Sequence, residues 1–135
     1  TGTYDLGKTP WATAISQTSL LNDASSRFNE GLLVNIVDLG ANVLYVDAAY
    51  YVNLYTSSPG SYSFDNATTP VCTSVDAGNG IGIGTGQVNS ALCTTATLLP
   101  SANQNKYVFA DAVYLTPSAH RQLGDYAYDR LRARW

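Results

Sequence analysis

The sequence predicts an α/β domain built on a parallel sheet. Strand-like and helix-like patterns alternate along the 135 residues, the arrangement expected when helices cover a sheet. Asn42–Val46, "NVLYV", is a short β-branched run of the kind that a covered parallel strand needs. On either side of it lie segments whose apolar residues recur at three- and four-residue steps, the signature of amphipathic helices.

The first helix is expected over residues 16–39. Leu20, Leu21, Ala24, Phe28, Leu32, Ile36 and Leu39 form one apolar stripe there, the side that a surface helix ordinarily turns to the core. Gly40 follows as a C-terminal stop. After the NVLYV strand, "DAAYYVNLYTSS" predicts a second helix with Asp47 as N-cap and Pro59-Gly60 ending it. Residues 61–104 change character: they are rich in Ser, Thr, Gly and Asn, and they hold both cysteines without a clear period. So long an irregular stretch inside a domain predicts a stapled excursion or a lid. Within it, "GNGIGIGTG" (78–86) lacks the lysine of a phosphate-binding loop and has no strand before it, so it reads as loop glycine. "KYVFAD" (106–111) is a short strand or extended approach. Thr116 then caps a final helix with Pro117 at its first position, and Ala119, Leu123, Ala127 and Leu131 line one face.

With 45% hydrophobic and 13% charged residues the chain can bury a core and is no disordered tail. A net charge of −3 and a pI near 4.7 argue against nucleic acid or anionic membranes as partners. Basic residues gather at the end. Arg130, Arg132 and Arg134 fall in a last helical turn, where cations suit the exposed carbonyls. Cys72 and Cys93 with one distant histidine cannot supply four zinc ligands. A disulfide closing a loop of about 20 residues, worth roughly 3 kcal/mol, is the favoured reading, and it implies an oxidising compartment. Two buried free thiols are the alternative. Asn66-Ala67-Thr68 fits a glycosylation sequon, a pattern that chance often supplies. No apolar run reaches membrane-spanning length. The chain begins at Thr1 and contains no methionine, which points to a processed product or a piece of a longer chain.

The chemistry-bearing stretch is "DAVYLTPSAHRQL" (111–123). An aspartate followed three residues later by a histidine is an efficient hydrolase device, because one tight turn lets the carboxylate fix the imidazole tautomer. Asp111 supplies the first half. The third residue on is Tyr114, and a phenol, which ordinarily holds its proton until about pH 10, is a poor general base. The only histidine, His120, comes nine residues after Asp111, inside the capped helix. For a bare D-x-x-Y the ordinary reading is a turn former and a core aromatic. His120 alone reads as a helix-surface residue, and most of the ten tyrosines as packing.

Four fragments in order change that weighting: "YDLGKTP" (4–10), "FNEGL" (28–32), "GANVLYVD" (40–47) and "FADAVYLTPSAHRQLGDYAYDRL" (109–131). Over nearly its whole length the chain resembles the C-terminal part of an SGNH (GDSL-type) hydrolase, similar to bacterial secreted and autotransporter esterases. The resemblance implies the C-terminal portion of a three-layer, flavodoxin-like α/β fold with a parallel sheet. Residues 1–135 are then a single incomplete domain, with 61–104 as a disulfide-stapled loop insertion. It further implies a secreted, periplasmic or cell-surface carboxylic ester hydrolase without a cofactor. Its partner would be an N-terminal segment carrying the serine, glycine and asparagine blocks, which this chain lacks. An ester or lipid would be the substrate. Asp111 takes the place of the triad aspartate and Tyr114 that of the catalytic histidine, so activity is expected to be impaired. His120 is the less favoured substitute base. Two other classes compete: a non-catalytic binding or regulatory module on a degenerate hydrolase scaffold, and an N-terminal-nucleophile hydrolase using Thr1.

Overall fold

The computed structural model describes all residues 1–135. Four α-helices carry the fold: α1 Pro10–Ala14, α2 Thr18–Ile36, α3 Ala48–Ser57 and α4 Pro117–Arg134. Short 3-10 turns punctuate the rest. In all, 55% of the chain is helical and 6% takes part in strand-like bridges, with no sheet. The expected three-layer, flavodoxin-like α/β arrangement with a parallel sheet is therefore overturned.

The reason is a shortage of neighbours. A strand exists only where its backbone groups find another extended backbone. Around NVLYV, Val43 is extended (φ −123°, ψ 132°), yet the one backbone bond to another segment there is from Gly2 N–H to Val46 C=O, at 3.2 Å. Residues 107–110 come nearest to a ladder. Asn66 bridges Tyr107 in parallel and Leu115 bridges Phe109 antiparallel, while Val71 and Cys72 donate to the carbonyls of Phe109 and Ala110 at 3.1 and 3.0 Å. Each bridge stays isolated.

Helix α2 forms close to its expected span, ending in a 3-10 turn over Val37–Asn42 that contains Gly40 at φ +59°. It is rotated from the expected orientation, with only Leu21, Leu32 and Ile36 of the expected stripe half-buried. Leu20 (62% exposed), Phe28 (59%) and Leu39 (53%) face outward. The buried residues are Ser25 and Asn29. A polar row, Asn22, Ser25 and Asn29, runs along the inner side and clasps the extended N-terminal segment. Asn29 brackets Thr3, accepting from its N–H and donating to its C=O, both at 2.8 Å. Ser25 Oγ accepts from Leu6 N–H at 3.0 Å. Asn22 donates to Asp5 Oδ2 at 2.6 Å. The approach is close enough that a Cβ at Gly7 would strike the Thr18 carbonyl.

The two local helix starts follow the sequence. Asp47 Oδ1 accepts from Tyr50 N–H at 2.9 Å and opens α3. Thr116 Oγ1 accepts from Ala119 N–H at 3.3 Å, with Pro117 at the first position of α4. Between these helices sits the apolar core: Val52 and Tyr55 from α3, Ala119 from α4, and Phe64, Val108, Phe109 and Leu115 from the intervening chain. Cys72 and Cys93 form a disulfide with Cα atoms 5.9 Å apart. No helix is long and apolar enough to cross a membrane.

Candidate active site

Asp111 is fully buried. Its Oδ1 accepts from the N–H groups of Val113 and Tyr114 at 2.9 and 2.7 Å. Its Oδ2 accepts from Ser90 N–H at 2.9 Å. A carboxylate can be buried only when such donors replace water, and here every donor is backbone. The local cause is the turn itself: an aspartate satisfies the N–H groups two and three residues ahead, which fixes the direction in which residue 114 leaves.

The turn is also held from outside. Tyr4 donates its hydroxyl to Val113 C=O, Trp11 N–H donates to Ala112 C=O at 2.9 Å, and Ala110 N–H closes the turn on Tyr114 C=O at 2.8 Å. Burial pushes the Tyr4 hydroxyl up to about 12, helped by the Asp111 carboxylate and by Tyr114. It therefore remains a donor across the physiological range. Neither Tyr4 nor Ser90 is readable from the sequence as a partner of Asp111. Their separations along the chain (107 and 21 residues) leave no local pattern.

Tyr114 is 47% exposed. It opens onto a groove of about 360 Å³ shared with Gly80, Ile81, Asn89, Ser90 and Ala91. His120 opens onto a different cavity, of about 430 Å³, between Val71, Cys93, Leu98 and Pro117. Ser90 borders both. The structure thus brings Asp111 and Tyr114 together and leaves His120 apart. His120 shares its cavity with the hydroxyls of Ser90, Thr94 and Thr95, but its imidazole takes part in no hydrogen bond with them. Thr1 is exposed and donates its hydroxyl to Gly2 C=O at 2.7 Å.

The glycine-rich loop is held by its own side chains. Asp76 accepts from Gly78 N–H at 2.8 Å and from Asn89 Nδ2 at 2.9 Å, and these bonds, the Asn89 one first, lower its pKa. Asn79 Oδ1 accepts from Gly84 N–H at 2.8 Å. Asn89 in turn accepts from Ala91 N–H at 2.9 Å, so this loop sets the wall of the Tyr114 groove. Sequence reasoning missed Asp76 and Asn89, although an aspartate two residues before a glycine is a legible turn signal.

Comparison of the sequence with protein-family models and with curated proteins returns no match to either.

Proposed function

We propose that this chain is the C-terminal segment of a secreted serine ester hydrolase, to which it contributes the aspartate that orients residue 114. One observation carries the reading. Asp111 is buried with its Oδ1 spent on the 113 and 114 N–H groups, and residue 114 emerges from that turn at the edge of an open groove. A histidine placed there would leave the turn beside that carboxylate, which accepts three backbone N–H groups and, with about four acceptor positions, keeps one for the Nδ1–H contact that fixes an imidazole tautomer. The nucleophilic serine and the oxyanion donors would come from an N-terminal segment of the same enzyme. Phe28 and Val34 of α2 and Val37 of the turn after it, at 59%, 72% and 68% exposure, leave apolar surface that such a segment could cover. The disulfide supports secretion. The sheetless fold lends the resemblance nothing; its support is the ordered sequence fragments and the Asp111 turn.

With Tyr114 in place, turnover is impaired. The test is hydrolysis of p-nitrophenyl butyrate by the whole protein, with residue 114 as tyrosine and after Tyr114→His. General-base catalysis contributes about 10²–10⁴-fold, so a rise of about a hundredfold in kcat/KM is expected. No gain from a folded variant removes position 114 from the mechanism.

A second reading has its own observation. Asp111 Oδ2, the oxygen that a triad would offer to the base, is already engaged by Ser90 N–H. That favours a non-catalytic binding or regulatory module, in which Asp111 serves only to join the insertion to the turn. Silence of the histidine variant toward every short-chain ester would support it.

A further inference from the structure

A second groove, of about 260 Å³, lies where α3 meets α4. Tyr51 and Tyr55 enter it from α3, Tyr62 from the 3-10 turn that follows, and Tyr126 from α4. Asp125 and Asp129, one turn apart on α4, complete the lining, and no basic side chain shares it. The rings are mutually braced. Tyr51 stacks on Tyr126 at 3.8 Å between centroids, Tyr55 meets Tyr62 edge-on at 5.0 Å, and Tyr51 meets Tyr55 edge-on at 6.2 Å. Gln122 Nε2 donates to Tyr62 C=O at 3.0 Å and ties the turn to α4.

Two features are unexplained by packing alone. The Tyr55 side chain is fully buried, yet its hydroxyl has no hydrogen-bond partner, a state that costs about 1–3 kcal/mol. That hydroxyl lies within electrostatic reach of Asp125: burial first, then Tyr51, Tyr62 and Asp125, raise its pKa to about 12. The second feature is the carboxylate pair itself. Like charges one helical turn apart repel, and Asp125 and Asp129 do so beside electron-rich rings that favour a positive guest.

We propose that this tyrosine groove binds an alkylated ammonium group, of the quaternary type. Such a cation is too weakly hydrated to prefer water strongly. It presents methyl groups to ring surfaces, its single charge relieves the repulsion between the two carboxylates, and its polarised N-methyl C–H groups give the Tyr55 oxygen a weak contact. A primary ammonium would also reach the two carboxylates, but it is strongly hydrated, and four tyrosine rings do not replace the water it would lose. The inference is independent of the ester-hydrolase reading.

The group has two sources, a free solute or a phosphatidylcholine headgroup. Choline chloride is titrated into the whole protein and followed by the NMR shifts of the tyrosine rings. Its neutral isostere, 3,3-dimethylbutan-1-ol, is titrated in parallel. Saturable shifts with choline, at least about tenfold weaker binding of the alcohol, and about a tenfold loss with Asp125→Asn/Asp129→Asn are expected; tenfold corresponds to about 1.4 kcal/mol. Both aspartates are exposed, so this variant keeps its fold, which circular dichroism checks. Co-sedimentation with phosphatidylcholine vesicles but not with phosphatidylglycerol vesicles identifies the lipid source; choline binding without co-sedimentation identifies the solute. Absence of saturation with both choline and phosphatidylcholine, equal affinity for the alcohol, or indifference to the double substitution overturns the proposal.

Discussion

Asp111 and Ser90, 21 residues apart, are joined by a hydrogen bond of 2.9 Å from the Ser90 N–H to Asp111 Oδ2. That bond attaches the disulfide-bearing insertion to the turn that carries Tyr114. The same carboxylate holds the turn together through its other oxygen. Replacing Asp111 by alanine leaves three buried or half-buried N–H groups without an acceptor, each bonded at present to a charged group. The expected loss is about 3–5 kcal/mol, read as a shift in the urea midpoint. A loss below 1 kcal/mol, on the order of a surface substitution, would mean that the turn does not depend on its carboxylate.

The disulfide acts on the same region from the other end. Opening it with Cys72→Ser/Cys93→Ser frees a loop of 21 residues in the unfolded chain, which costs about 3 kcal/mol in the chain-entropy view. Reduction of the unmodified protein should destabilise it by a similar amount, read as a lower melting temperature. A variant that melts with the oxidised protein would show that the insertion folds without its staple.

Helix α2 yields a paired prediction. Asn29→Ala removes both bonds to Thr3 and should cost about 1–3 kcal/mol. Phe28→Ser, one residue away, should change the stability of this chain by no more than about 0.5 kcal/mol, because Phe28 faces outward. In a larger protein whose additional segment covers that face, Phe28→Ser becomes the costlier change. Chemical denaturation of both variants, in this chain and in the whole protein, separates the two situations.

Alkaline pH should weaken the fold. Tyr4 and Tyr55 are each raised to about 12, first by burial, against about 10 in an unfolded chain. In that window the folded state holds protons that the unfolded state has lost, so stability is full below about pH 10 and declines through about pH 12. Tyr4→Phe removes part of this slope, at the price of leaving the Val113 carbonyl without its donor. Absorbance at the tyrosinate band should show Tyr4 and Tyr55 titrating last in the native protein, with Tyr45 and Tyr51 also shifted upward, first by burial, and no such late group in urea.

What the sequence disclosed was local. Asp47, Thr116 and Pro117 specify helix starts through atoms three residues away, and the Asp111 turn is of the same kind. A disulfide between the two cysteines followed from their number and spacing. The outward side of α2 was not legible, because Leu20, Phe28 and Leu39 repeat with the same helical period as Asn22, Ser25 and Asn29. Periodicity identifies two sides and does not say which one meets the rest of the chain. The NVLYV segment failed for another reason. β-branched residues make an extended backbone favourable, but a strand needs a neighbour, and only Gly2 bonds across to it. Ser90 and Tyr4 at the candidate site, and the four tyrosines between α3 and α4, are brought together by tertiary packing that no short pattern encodes.

The central proposal, that residue 114 serves a serine supplied by another part of the same enzyme, is tested most directly by active-site labelling. The whole protein carrying Tyr114→His is treated with a fluorophosphonate, digested and mapped by mass spectrometry. The expected result is a single adduct on a serine outside residues 1–135, lost when Asp111→Ala is added to a protein that still folds. An adduct on a serine within residues 1–135, or no adduct at all on a folded protein, would contradict it.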